Sequence, residues 1–294
     1  MRPAWSVILL TTLIGAGQGL YLALFASRAP APLLQAGLAV TLVLLVGGLA
    51  GSFFHLGRPE RAWRSAAMWR TSWLSREVIA LPAFMALVAA YGWTGNAAIG
   101  WAGAAACVAL FVCTGMIYAC LPFLQEWRTP LTVVNFALLG VASGLTLAAV
   151  LAALLAPELA REYAVAALAA GALAYVSKLA ALMRNAGLRP KSTLATAIGV
   201  KHPRIVQIAQ GAMGGSFNTR EFFHGRPREV VRAARGALLI LLYPAPALLL
   251  GAAGSSAALL GGAFLLQFAG LLAERWYFFA EARHPQNLYY QAIA

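Results

Sequence analysis

The hydrophobic residues of this sequence fall into eight long runs that are separated by polar segments. The runs cover approximately residues 5–26, 33–54, 75–92, 97–121, 131–155, 162–183, 233–250 and 256–278. A helix needs about 20 apolar residues to cross a hydrocarbon core, and each run comes close to that length. None shows the alternating pattern of an outer-membrane β-strand. The pattern predicts an all-α integral membrane protein whose 294 residues form one transmembrane domain, a bundle of eight helices.

The amino-acid composition agrees with this class. Of the 294 residues, 61% are hydrophobic and only 11% are charged, which excludes an ordinary soluble domain. The net charge of +13 raises the question of nucleic acid, but the arginines flank the apolar runs instead of clustering on a polar domain. In a membrane protein such an excess usually comes from basic cytoplasmic loops, so no nucleic-acid partner is expected.

The distribution of basic residues predicts the orientation. With eight spans, both termini and the even-numbered connections share one side of the membrane, and 20 of the 22 lysines and arginines belong to it. Only Arg28 and Arg161 belong to the other side. The positive-inside rule therefore predicts a protein of the bacterial inner membrane, with both termini and the long basic loop 184–232 in the cytoplasm. The alternative is that the arginines dock an acidic partner and carry no topological information.

The interiors of the predicted helices are nearly free of charge. Glycines 15, 17 and 19 in the first helix permit close helix–helix approach. Between them, Gln18 has two interpretations, an interhelical hydrogen bond or the lining of a ligand cavity. Lys178 and Arg184, near the end of the sixth run, are expected to snorkel to the interface. A channel or transporter is disfavoured because such proteins usually place charges or broken helices near the midplane.

The connection between the second and third runs carries the sharpest candidate residue. Residues 53–77 read FFHLGRPERAWRSAAMWRTSWLSRE, with one histidine, five arginines and three tryptophans. The His55 imidazole titrates near neutral pH, and at the membrane rim it can hydrogen-bond a quinone carbonyl while exchanging a proton. The alternative is a histidine that only caps the end of a helix.

Glu77 is the second candidate in this stretch. A carboxylate in the first turn of a helix is favoured by the helix dipole, which gives it a structural interpretation. An ionisable group at the membrane edge is also a natural proton relay between a buried ring and water. The arginines of the stretch can pair with Glu77, with lipid phosphates or with a partner; for each of them lipid or a partner is favoured over a ligand role.

Haem and metal sites are disfavoured by position and spacing. All four histidines, His55, His202, His224 and His284, lie at loops or span ends, whereas a bis-histidine haem needs ligands within helices. The three cysteines, at positions 107, 113 and 120, lack metal-ligand spacing and are interpreted as packing residues. No hydrolytic motif is present either, so the chain is not expected to transform a substrate by itself.

Three segments resemble the membrane-anchor subunit of the DMSO reductase family. They are HLGRPERAW followed by SWLSRE, then YACLPFLQEWRTPLT with a W-x-TP pattern, and LLAERWYFFAEARHPQNLYY near the chain end. The resemblance covers nearly the whole chain. It implies a complex in which a molybdopterin subunit performs the substrate chemistry and a four-cluster ferredoxin-like iron–sulfur subunit transfers the electrons. The anchor would exchange those electrons with menaquinone or ubiquinone and hold no haem.

The resemblance also implies roles for particular residues. His55 matches the histidine associated with quinol binding, and Glu77 matches a glutamate implicated beside it. The expected quinone site comprises His55, Arg58, Arg61, Trp73 and Glu77. The docking face for the partner subunits is expected to include Arg64, Arg70, Trp127, Arg128, Arg220 and Arg226.

One departure and two alternatives stay open. The loop 184–232, with SFNTREFFHGRP at positions 216–227, is more elaborate than expected of sulfoxide-reducing members. A cytoplasmic docking face makes a cytoplasmic substrate more plausible than an extracellular sulfoxide. The alternatives are a polysulfide-reductase-type anchor with a transmembrane proton route, which buried polar groups along helices 3 to 6 would favour, and a purely structural tether.

Overall fold

A computed structural model describes residues 1–54, 57–208 and 217–290. Its elements along the chain are α1 (Trp5–Ala26), α2 (Ala31–Phe53), a 3-10 helix (Pro59–Ala66), α3 (Trp73–Thr94), α4 (Ala97–Ala119), α5 (Pro130–Leu155), α6 (Pro157–Ala186), α7 (Leu194–Ile198), α8 (Phe217–Glu221), α9 (Arg228–Leu241), α10 (Pro244–Ala252), α11 (Ala257–Glu281) and a second 3-10 helix (Pro285–Tyr289). With α9 and α10 taken together, the described residues contain eight helices long and apolar enough to cross a membrane. The expected all-α membrane class with eight spans is confirmed.

Polar caps and prolines explain where several spans begin. The side chains of Ser72, Asn96, Thr129 and Ser256 each accept a hydrogen bond from a backbone N–H in the first turn of α3, α4, α5 and α11. Such caps satisfy N–H groups that have no partner within the helix. α5 and α6 begin with proline, whose missing N–H costs nothing at that position.

α1 lies at the centre of the bundle and packs against α2, α4, α5 and α11. It crosses α5 with the two backbones in direct contact, because a Cβ atom added at Gly19 would overlap the backbone of Gly140. A Cβ added at Gly144 would likewise overlap the backbone at Gly19. The close approach predicted for the glycines of the first helix is therefore confirmed.

The seventh span is broken, where the sequence pattern predicts one helix over residues 233–250. α9 ends at Leu241 and α10 begins at Pro244. Pro244 and Pro246 lack the N–H groups that would continue the helix ladder. The Tyr175 hydroxyl, from α6, donates to the Leu239 carbonyl oxygen at 2.9 Å, which satisfies one acceptor at the break.

The bundle interior is mainly apolar, but it also buries several hydroxyl and amide side chains and some charged ones. Four charged residues are buried among the described ones: Glu77, Lys178, Glu274 and Arg275. The expectation of an interior nearly free of charge is therefore wrong. These four residues organise the site described below.

Candidate functional site

Glu77 is buried in the bundle, one turn inside α3. The helix begins at Trp73, two residues before the predicted start, with the Ser72 hydroxyl as its cap. The first turn of α3 holds no acidic residue, so the expected stabilisation of Glu77 by a first-turn position is wrong. The residue points inward and is only 9% exposed.

The Glu77 carboxylate faces α4 and a small cavity. The Thr114 hydroxyl donates a hydrogen bond to its Oε1 atom. The cavity beside it has a volume of about 10 Å³, room for about one water molecule. It is lined by Leu10, Thr11, Ile14, Gly15, Gln18, Glu77, Phe111, Thr114 and Phe136.

The interhelical hydrogen bond expected of Gln18 is confirmed. Its Nε2 atom donates to the Cys107 carbonyl oxygen on α4 at 2.9 Å, which is the interhelical hydrogen bond. Gln18 also lines the cavity beside Glu77. The cavity therefore has three polar walls, one each from α1, α3 and α4.

His55 lies outside the described residues, between Phe54 and Gly57. The Phe54 side chain before it is 89% exposed. The pairing of His55 with Glu77 at one quinone site stays a prediction.

The arginines of the 57–72 segment lie on the surface. Arg58 is exposed at the start of the first 3-10 helix, and Arg61 is half-exposed with its Nε atom 3.9 Å from Glu60 Oε1. Arg64 and Arg70 lie over the rings of the preceding residues, Trp63 and Trp69, at 5.5 and 5.3 Å. Exposed arginine–tryptophan pairs are typical of a membrane–water interface or of a docking surface.

Arg76 fixes the entry into α3. Its Nε and Nη2 atoms donate to the carbonyl oxygens of Trp69 and Arg70 at 2.9 and 2.8 Å. Its guanidinium also covers the Trp73 ring at 4.2 Å. Trp73, expected at the quinone site, lies on the first turn of α3, just before Glu77, and the Arg76 guanidinium covers one face of its ring.

The W-x-TP segment is a structural turn. The Trp127 indole is buried, stacks on Phe278 and donates from Nε1 to the Phe278 carbonyl oxygen at 2.9 Å. The Trp127 ring therefore lies inside the bundle and not on the expected docking face. The neighbouring candidate, Arg128, is exposed. Arg184, near the end of α6, is half-exposed, and its Nη2 atom donates to the carbonyl oxygens of Gln125 and Arg128 at 3.0 and 3.3 Å.

The remaining docking candidates, Arg220 and Arg226, are exposed. The Arg226 backbone N–H donates to His224 Nδ1 at 3.1 Å. Within the described residues no group of three or more His, Cys, Asp and Glu side chains is arranged to hold a metal ion.

A buried ionic cluster is the feature that sequence reasoning missed. Lys178 Nζ on α6 lies 2.6 Å from Glu274 Oε1 on α11, and Arg275 Nη1 lies 3.0 Å from Glu274 Oε2. Lys178 was expected to snorkel to the interface, and this expectation is wrong. α6 continues beyond it to Ala186, and its side chain is buried against Glu274 of α11. The available signal was the adjacent Glu274–Arg275 pair inside an apolar run.

The ionic cluster and the Glu77 cavity share one wall. The Phe136 ring lines the cavity, and the Arg275 guanidinium lies 3.6 Å from the centre of the same ring. Two groups of buried charges therefore lie on either side of one phenylalanine.

The comparisons with known proteins identify the family. The family model of the DMSO reductase anchor subunit (DmsC) matches residues 3–281. The chain belongs to the DMSO reductase anchor subunit family. It is also 55% identical to a sulfite dehydrogenase subunit of Allochromatium vinosum, over 100% of both chains. The resemblance found in the sequence is confirmed, and the anchor role implies a catalytic oxidoreductase partner.

The matched residues include the whole 57–77 segment, the W-x-TP turn and the ionic cluster. An anchor subunit links a redox complex to the membrane.

Proposed function

We propose that this chain is the quinone-reactive anchor of a molybdopterin and iron–sulfur oxidoreductase of the bacterial inner membrane. Electrons pass between the membrane quinone and the iron–sulfur subunit, which docks on the basic side of the bundle. The observation that carries the proposal is the Glu77 carboxylate, buried against Thr114 beside a cavity with polar walls. A quinone supplies two-electron, two-proton chemistry, and a buried carboxylate is suited to hold or release one of those protons.

The residues fit the polar half of such a site. A carboxylate, a hydroxyl and an amide are donors and acceptors that match a quinone oxygen. A cavity of about 10 Å³ holds no ring, so the quinone ring would lie outside it. Glu77 would then act across one water molecule. The role of His55 as a hydrogen-bond partner of the ring is carried over from the family resemblance.

Sulfite is the proposed substrate of the catalytic partner. The full-length identity of 55% to a sulfite dehydrogenase subunit supports this choice over a sulfoxide. Oxidation of sulfite to sulfate releases two electrons, so this chain would deliver them to quinone. The exposed arginines at positions 64, 70, 128, 220 and 226 then belong to the docking face.

The test uses the purified complex with sulfite and a short-chain quinone. Glu77→Gln should lower sulfite-dependent quinone reduction by about 100-fold, within the range for a positioned acid–base group. His55→Ala should do the same. Sulfite oxidation with a soluble dye as acceptor should stay at the wild-type rate in both variants, because the catalytic subunit is unchanged.

Glu162→Gln is the matched control, because it removes an exposed carboxylate at the opposite end of the bundle. Wild-type quinone kinetics in Glu77→Gln and His55→Ala would contradict the site. A wild-type complex that oxidises sulfite with dye but neither binds nor reduces quinone would contradict the function and leave a structural tether. The polysulfide-reductase-type alternative would need buried polar groups along the third to sixth spans, and of the ionic cluster only Lys178 lies there.

A further inference from the structure

Lys178, Glu274 and Arg275 lie well inside the bundle. Their side chains are 4%, 1% and 4% exposed. Glu274 precedes the end of α11 at Glu281 by seven residues. With a rise of about 1.5 Å per residue, this places it about 10 Å below the helix end.

Two buried polar atoms of this region have neither a hydrogen-bond nor an ion-pair partner among the described residues. They are Arg275 Nε and Asn135 Oδ1, the latter on the turn of α5 that carries Phe136. Buried polar groups are nearly always hydrogen-bonded, to protein or to ordered water. This donor and this acceptor therefore indicate bound water beside the ionic cluster.

A purely structural role explains the cluster poorly. Charges within the membrane are costly, and a buried ion pair often stabilises a protein no better than apolar side chains of similar size. Leucine or methionine at these positions would hold α6 against α11 as well. The charges, with the Arg275 Nε donor left without a partner, are better suited to bind water and to move protons.

The cluster connects in two directions. Toward the quinone site, Phe136 contacts both the Glu77 cavity and Arg275, and the Tyr118 ring stacks on Phe136 with 5.5 Å between the ring centres. Toward the end of the bundle, Glu281 is the last residue of α11, two turns beyond Glu274. The Asn185 amide at the end of α6 donates to Glu281 Oε2 at 3.1 Å.

We propose that Lys178, Glu274 and Arg275 form a hydrated proton relay between the Glu77 cavity and the basic end of the bundle. The proposal rests on the quinone function proposed above. Reduction of one quinone takes two electrons from the iron–sulfur subunit and two protons from water. At least one proton enters past Glu281, is exchanged at Glu274, passes the edge of the Phe136 ring by water and reaches Glu77. Lys178 and Arg275 hold the Glu274 carboxylate in place.

The water in the relay can be tested without any turnover. Brief X-ray radiolysis of the intact complex generates hydroxyl radicals from bound water, and these oxidise the nearest side chains. Phe136 and Phe278 flank the cluster and should be labelled at least about five times faster than Phe84, which is also buried but packs in the apolar core. Equal, background labelling of all three rings would overturn the proposal.

Proton transfer is tested with the double variant Lys178→Met/Glu274→Gln. It keeps the net charge of the cluster at +1 but removes the exchanging carboxylate. Sulfite-dependent quinone reduction should fall at least about tenfold, the solvent deuterium isotope effect should rise, and azide should restore much of the rate by carrying protons. Gln267→Leu, which alters a buried polar residue elsewhere on α11, should leave the rate and isotope effect unchanged.

The outcomes separate the two proposals. A wild-type rate in the double variant would overturn the relay while leaving the quinone function intact. A slow rate with an unchanged isotope effect and no azide rescue would identify a structural cluster and also overturn the relay. If the wild-type complex fails to reduce quinone, the function fails and the radiolysis result alone decides whether the cluster is hydrated.

Discussion

The α-amino group of Met1 is held inside the protein. It donates a hydrogen bond to the Ala282 carbonyl oxygen at 2.7 Å, just beyond the end of α11. Burial lowers the pKa of this group from 8.0 to about 6, and nearby Glu126 opposes part of the shift. Burial also lowers the pKa values of His224 and His284, and the charge of the amino group adds to the effect.

The docked N-terminus should loosen as the pH falls from about 8 to below about 6. The folded-state pKa of the amino group lies below its ordinary value, so the undocked state binds more protons in this window and docking weakens as the group becomes charged. The two histidines act in the same direction. The measurement is amide exchange at Arg2, whose N–H donates to the Glu221 carbonyl oxygen at 3.0 Å.

After correction for the intrinsic rate, protection of the Arg2 amide should rise with pH through that window. Gly95 is the control, since its N–H donates to the Tyr91 carbonyl oxygen at 2.8 Å far from any of these groups. Protection of Arg2 that is flat, or that falls with pH, would contradict the assignment.

Single residues were predictable from sequence only where their chemistry conflicts with their surroundings. Glu77 was found because a carboxylate beside an apolar run is unusual, and the same reasoning would have found Glu274. The burial of Trp127 could not be found in this way, because its hydrogen-bond acceptor, Phe278, lies 151 residues further along the chain. Lys178 was misplaced because snorkelling depends on the distance to the helix end, and α6 ends later than its apolar run.

At the scale of elements, the α1–α5 crossing holds the bundle together. Gly15 and Gly19 repeat the four-residue spacing of Gly140 and Gly144, so the two helices present facing grooves without side chains. In lipid, where there is no hydrophobic force between helices, such contact is a principal source of stability.

Gly144→Leu should separate α1 from α5 and prevent the bundle from folding. The new side chain would meet the backbone of Gly19, which cannot give way as a side chain can, so the cost should exceed the about 1–3 kcal/mol typical of overpacking. The matched control is Gly261→Leu in α11, where an added Cβ meets nothing within 4 Å.

Thermal unfolding in detergent, followed by size-exclusion chromatography, measures the difference. Gly261→Leu should keep the wild-type midpoint, and Gly144→Leu should aggregate or melt well below it. Similar midpoints for the two variants would show that the crossing is not the main contact.

The positions of the spans were predictable because each is a long hydrophobic run. The ends and breaks of the helices depend instead on capping residues, prolines and contacts with other helices. The caps at Ser72 and Asn96 and the prolines at positions 130 and 157 set the starts of their helices. The break before Pro244 lies within an apolar run, so hydropathy alone could not show it. The break is stabilised by the Tyr175 hydroxyl of α6, which donates to the Leu239 carbonyl oxygen.

At the scale of the whole molecule, the two ends of the described chain meet. Met1 bonds to Ala282, and the Arg2 N–H bonds to Glu221, so the N-terminus, the 184–232 loop and the end of α11 form one end of the bundle. Glu77 and the ionic cluster lie near that same end, at the start of α3 and near the ends of α6 and α11. Proton exchange along the proposed relay would therefore use one side of the membrane and move little net charge across it.

The excess of basic residues predicts that this end faces the cytoplasm. The test starts from a variant with Cys107, Cys113 and Cys120 replaced by alanine, which is needed because Cys120 is exposed. Single cysteines are then placed at Ser255, in the connection between α10 and α11, and at Lys201, in the long loop; both positions are exposed.

In intact cells a membrane-impermeant maleimide should label Ser255→Cys and leave Lys201→Cys unlabelled until the membrane is opened. The physical reason is that 20 of the 22 basic residues would otherwise have to be carried across the membrane. Arg28→Cys, on the same side as Ser255, is the internal control and should label with it. Labelling of Lys201→Cys alone in intact cells would reverse the orientation and place the iron–sulfur subunit, the substrate and the proton relay outside the cytoplasm.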